Sequence, residues 1–126
     1  MAHIDLQGNF PGIVAGFNFR PETARPMREL AHLLLHEPNS LAPGERELIA
    51  TYVSSRNCTT FCALSHGAAA AAHLGGDTVV KQVKTDLATA EVSPKLKALL
   101  NIAGKVQQDG KLVTSADADA ARQQGA

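Results

Sequence analysis

Met27, Leu30, Ala31 and Leu34 lie at i, i+3, i+4 and i+7. That spacing predicts a helix over 21–37 with those four side chains on one buried face. Pro21 suits its first turn, Pro26 limits where regular hydrogen bonding begins, and Pro38 closes it. Leu33 and Leu35 widen the apolar surface. Leu48, Ile49, Tyr52 and Val53 form a second stripe over 43–55. Pro43 fits its first position, and Glu45 and Glu47 sit near its positive N-terminal end. The run 54–57 breaks or bends the chain. A third helix is expected over 58–74, rich in alanine, which lets neighbours approach closely, with Gly75-Gly76 as its stop. Asp77 is a candidate N-cap for 78–89, with Val79, Val80, Val83 and Leu87 inward. Ser93-Pro94 opens another helix, with Leu96, Leu99, Leu100, Ala103 and Val106 on its buried face and Gly110 past its end. Thr114 can cap a short final helix over 115–124. Residues 1–20 sustain no period of 3.6 and read as an irregular arm whose apolar side chains pack on the body.

These elements make an all-α domain of five to six helices with short connections and no internal repeat. Composition agrees. The aromatic share is 4% and tryptophan is absent, whereas strands favour aromatic and β-branched residues. The 126 residues fit a single domain, 1–126, able to bury its own core. Twelve bases balance twelve acids, which argues against an electrostatic nucleic-acid binder. No apolar run approaches the roughly 20 residues that span a bilayer, and the N-terminus lacks the order of a signal peptide. A cytoplasmic protein is therefore expected. In a reducing compartment its two cysteines would be core filler, metal ligands or redox groups.

The segment that could carry chemistry is Asn57-Cys58-Thr59-Thr60-Phe61-Cys62-Ala63-Leu64-Ser65-His66. On a helix, Cys58, Cys62 and His66 would stand at i, i+4 and i+8, drifting only about 80° around the axis. His73 falls in the same sector, two turns beyond His66. An antiparallel hairpin would bring Glu47 toward this face. A thiolate is the reactive form of cysteine, and a helix N-terminus or an imidazole favours it. His66 can accept or relay a proton of Cys62, and Glu47 can orient that imidazole. A second cysteine nearby can resolve a sulfenic acid into a disulfide. Buried cysteines are also ordinary small hydrophobes. A metal site on Cys58, Cys62, His66 and His73 has suitable ligand types, although structural zinc sites commonly use looped knuckles.

Gly44-Glu45-Arg46-Glu47-Leu48-Ile49-Ala50, Val53-Ser54-Ser55, Asn57, Phe61-Cys62, Ser65-His66-Gly67 and the alanine run ending in Leu74-Gly75-Gly76 resemble the carboxymuconolactone decarboxylase/alkylhydroperoxidase D-like superfamily, and most closely its peroxidase-related branch. Phe10-Pro11-Gly12-Ile13, Arg20-Pro21-Glu22-Thr23 and Lys95 to Leu100 through Gly110-Lys111 extend the resemblance over nearly the whole chain. It implies an all-helical homo-oligomer with a Glu…Cys-x-x-Cys-x-x-x-His site. In that site the second cysteine reacts with peroxide, the first forms the disulfide, and histidine and glutamate relay protons. Glu47, Cys62 and His66 match. The first cysteine does not: its place is Thr59, and Cys58 stands one residue earlier. Disulfide Cβ atoms lie about 3.8 Å apart, against about 6 Å for i, i+4 neighbours on a helix. A Cys58–Cys62 bond therefore needs an unwound first turn. Relatives in this branch continue with two more apolar helices, so those C-terminal helices are expected to be absent here and self-association to cover the surface they leave.

Three readings follow. The first is a thiol-dependent peroxidase that reduces hydroperoxides, with Cys62 as nucleophile, His66 as proton shuttle, Glu47 as orienting base and Cys58 as resolving thiol. It needs no cofactor or metal, and the resemblance implies a lipoyl- or thioredoxin-like reductant. The second is a metal-binding domain on Cys58, Cys62 and His66. The third is a non-catalytic helical assembly module. No nucleic-acid or membrane partner is expected in any of them.

Overall fold

The computed structural model describes residues 3–6 and 8–126; residues 1, 2 and 7 of the expected arm lie outside the described residues. Among the described residues there are seven α-helices and no strand, so the all-α expectation holds with one helix more than the upper count. The chain separates into two compact units, Met1–Pro38 and Asn39–Ala126.

The first unit holds α1 (Ile13–Phe19) and α2 (Pro21–Leu35). Helix α1 replaces part of the expected irregular arm. Pro11 and Gly12 carbonyls accept from Val14 and Ala15, which closes the first turn of a helix of only seven residues, too short to sustain a 3.6-residue period. The expected buried face of α2 is a correction. Met27, Leu30, Ala31 and Leu34 are all exposed, Leu34 at 58%, and only Ala24 of this helix is buried. The reason is length. At 1.5 Å per residue, α1 spans about 10 Å against about 22 Å for α2, so the one helix packed on α2 in this unit covers little of it.

The second unit holds α3 (Pro43–Arg56), α4 (Thr60–Leu74), α5 (Thr78–Thr85), α6 (Pro94–Gln108), a 3-10 turn (Gly110–Leu112) and α7 (Ser115–Gln123). Helices α3 and α4 form a tight antiparallel hairpin. Gly44, at the start of α3, lies where an added Cβ would be 3.0 Å from the Cβ of His73, near the end of α4. The core gathers Leu48, Ala70, Val80, Val83, Ala90, Leu96 and Leu100, with Leu48 and Leu100 fully buried. Helix α6 reaches α3 through Gly104, where an added Cβ would stand 2.9 Å from the Tyr52 hydroxyl.

The caps follow the local chemistry. Ser93 accepts from the Leu96 N–H, and Thr114 forms a capping box with Asp117, as the sequence predicts. Three expectations change. Asp77 holds the expected N-cap position, but its side chain makes no capping bond; its carboxylate pairs with Lys81 at 2.7 Å. Helix α5 ends at Thr85, not 89, because Asp86 takes an extended backbone and its carboxylate accepts the Ala88 N–H, a local turn that competes with the helix. Leu87 still packs on the core from that turn. Val106 is exposed rather than buried.

Candidate active site

Glu47 sits one turn into α3, on the side facing α4, and its side chain is only 4% exposed. A lone carboxylate would not persist there, because burial of an uncompensated charge is costly. His66 of α4 supplies the partner: its Nδ1 lies 2.7 Å from Glu47 Oε2, and its ring remains 31% exposed. With Nδ1 directed at the carboxylate, the other ring nitrogen is left for a proton in transit. Thr51, fully buried one turn after Glu47, donates its hydroxyl to the Glu47 carbonyl at 2.8 Å. Gly67, next to His66, lets α4 approach: an added Cβ would lie 3.6 Å from Thr51 Cγ2 and 3.4 Å from Val80. Thus Thr51 and Gly67 hold the backbone on either side of the Glu47–His66 pair. Gly67 belongs to the Ser65-His66-Gly67 run that carries the resemblance, whereas Thr51 is marked in the sequence only as the i+4 neighbour of Glu47.

On α4 the buried seam is Ala63, Gly67 and Ala70. At about 100° per residue, two flanks run beside it. Cys62 and His66, one turn apart, share the first flank, and Cys62 is half-buried. Leu64, Ala68 and Ala71 share the second, where they line a groove with Val80, Lys81 and Lys84 of α5.

Cys58 is not on the helix, which corrects the expected i, i+4, i+8 face. Helix α4 starts at Thr60, and Cys58 has a left-handed backbone, φ 55°. Its N–H bonds the Ser55 carbonyl at 3.1 Å, and the Thr59 N–H bonds the Ser54 carbonyl at 3.0 Å. These two bonds finish α3 in a Schellman motif with cysteine at the position that glycine usually holds. The exposed Cys58 lines a cavity of about 290 Å³ with Ser54, Ser55, Thr59, Thr60, Ala63, Leu64 and Lys84. Cys62 is not part of that lining. Both thiols are free.

The metal alternative gains no support from geometry. Among the described residues no three His, Cys, Asp or Glu side chains converge as a metal centre. His73, two turns from His66, packs at the other end of the hairpin beside Gly44. No described helix is long and apolar enough to cross a membrane.

No protein-family model matches the chain, and no curated protein matches it. Solved structures do. The alkylhydroperoxidase AhpD core, an uncharacterized peroxidase-related protein from Ralstonia eutropha JMP134, superposes with a TM-score of 0.83 at 28% identity over 90% of this chain. An uncharacterized peroxidase-related protein from Silicibacter sp. TM1040 gives 0.84 at 24% identity over 92%. This chain has the alkylhydroperoxidase D fold. The resemblance read from Gly44 through Gly76 therefore holds at the level of three-dimensional structure. The chain spans 60% and 61% of the lengths of these two proteins.

Proposed function

We propose that the protein is a thiol-dependent peroxidase-like oxidoreductase in which Cys62 reduces hydroperoxides. The observation that carries this reading is the buried Glu47 carboxylate bonded to His66 Nδ1, with Cys62 one turn before His66 on the same flank of α4. A buried carboxylate that fixes one ring nitrogen makes the other a directed proton carrier. The Cys62 thiolate attacks the terminal oxygen of ROOH and the O–O bond breaks. His66 delivers a proton to the departing RO⁻, and Cys62 is left as a sulfenic acid. An external thiol then displaces water from that sulfur, and a second thiol releases Cys62 as the external disulfide forms. A lipoyl- or thioredoxin-like dithiol, which the resemblance implies, supplies both thiols from one molecule.

In the two-cysteine version Cys58 takes the place of the first external thiol. The cavity and the left-handed turn around Cys58 support the one-thiol version better, since Cys58 and Cys62 border different flanks of α4. The reading further proposes a cytoplasmic homo-oligomer. Peroxide consumption with a supplied dithiol tests the chemistry. Cys62→Ser is expected to abolish it, and retained activity in that variant would end the proposal. Full activity in Cys58→Ser selects the one-thiol cycle, and its loss selects the two-cysteine cycle.

A further inference from the structure

The C-terminal end of α2 gathers three side chains of metal-ligand type that the peroxide chemistry does not use: His32, His36 and Glu37. The two histidines stand at i and i+4, so they project from one side of the helix, one turn apart. The His36 and Glu37 N–H groups both donate to the His32 carbonyl, at 2.8 and 3.3 Å. That shared acceptor winds the last turn tightly and folds Glu37 back toward His32. As a result His32 Nε2 lies 3.1 Å from Glu37 Oε1. The His32 and His36 ring centroids are 5.4 Å apart.

Both separations match those of ligands on one ion. With zinc bonds of about 2.0–2.1 Å at tetrahedral angles, a nitrogen and an oxygen ligand lie about 3.3 Å apart, and two imidazole centroids about 5 Å apart. As the chain stands, the three groups do not yet converge on one point. The His36 side chain is exposed and free of the core, so its ring is the one that turns to complete the set. The negative end of the helix dipole favours a cation at this position. We infer that His32, His36 and Glu37 form a binding site for a divalent cation of the zinc class, with water in the fourth position. Two imidazoles and one carboxylate are a donor set that zinc accepts. The bound ion ties residues 32, 36 and 37 together and so clamps the last turn of α2. The site is independent of the proposed peroxide reaction, since it shares no residue with Glu47, Cys62 or His66.

The test titrates zinc chloride into the full chain carrying Cys58→Ser and Cys62→Ser, which removes binding by thiols. Calorimetry should show one ion per chain. Among the five histidines, the ring NMR signals of His32 and His36 should move first. His32→Ala and His36→Ala should each weaken binding by at least about tenfold. Glu37→Gln keeps the shape of the side chain, removes its charge and should weaken binding by a smaller factor. All three side chains are exposed, so these variants are expected to fold, and circular dichroism checks that they do. Zinc that first moves another histidine, an affinity unchanged in His36→Ala, or no binding at millimolar zinc overturns the inference. Each of those results leaves the peroxide reading standing, because that reading is measured with peroxide on a chain that retains Cys62.

Discussion

The turn from α3 into α4 carries two cysteines four residues apart in surroundings that differ in almost every physical respect. Cys62 lies within regular helix, half-buried, one turn before a histidine tied to a buried carboxylate. Cys58 lies just before the helix, exposed, on a left-handed backbone that most side chains avoid, beside a lysine and four hydroxyl-bearing residues. One is placed one turn before the Glu47–His66 pair, and the other lines a cavity. Proximity in sequence therefore says little about shared chemistry. A single left-handed residue turns the two thiols toward different flanks.

The contrast can be broken first at the relay. His66→Gln keeps a hydrogen-bonding side chain but carries no mobile proton. It should slow peroxide consumption by on the order of 10²-fold, the usual contribution of a general acid or base. It should leave alkylation of Cys58 by iodoacetamide unaltered within about twofold, since that thiol lies before the helix and lines a space that Cys62 does not. Stopped-flow peroxide assays and mass-resolved alkylation rates check both halves. Equal slowing of the two reactions would mean that the flanks are not separate.

Smaller effects sharpen the same comparison through stability. Thr51→Val removes the buried hydroxyl bonded to the Glu47 carbonyl and should cost about 1 kcal/mol in urea unfolding. Cys58→Gly relieves the left-handed backbone and should stabilise by roughly 0.5–1 kcal/mol, less whatever the added freedom of the unfolded chain takes back. A Cys58→Gly variant less stable than the parent would mean that the thiol makes packing contacts outweighing the backbone strain.

The smallest expected effect lies away from both cysteines. Lys105 donates to the Asp117 carboxylate at 2.6 Å, and the Thr114 N–H and hydroxyl donate to it as well, which pulls its pKa down to about 2. A depressed carboxylate stabilises the folded state above its unfolded value of about 3.9. That contribution fades as pH falls from about 4 through about 2. Protection of α7 amides from hydrogen exchange should therefore fall over that interval, and more in the parent than in Asp117→Asn. Identical profiles would refute the pairing.

Much of this molecule can be read from side-chain chemistry along the chain. Ser93-Pro94 and Thr114 mark helix starts because each cap needs only its own next three residues. The Glu47–His66 pairing was legible too, since a short connection forces α3 and α4 to run antiparallel. What escaped depends on geometry that spacing does not encode. The Cys58 turn looks helical in a periodicity search, because one left-handed residue leaves no mark on hydrophobic spacing. Lys84 reaches the Cys58 cavity from α5, 26 positions along the chain. The apolar face of α2 follows a helical pattern that ordinarily means burial, yet the helix packed on it within its unit is too short to cover it.

The most direct test is to treat the reduced protein with one equivalent of hydroperoxide in the presence of a sulfenic-acid trap, then map the adduct in parent and Cys58→Ser. The account predicts a single trapped sulfenic acid at Cys62 in both proteins. A trap at Cys58, or none at either cysteine, would contradict it.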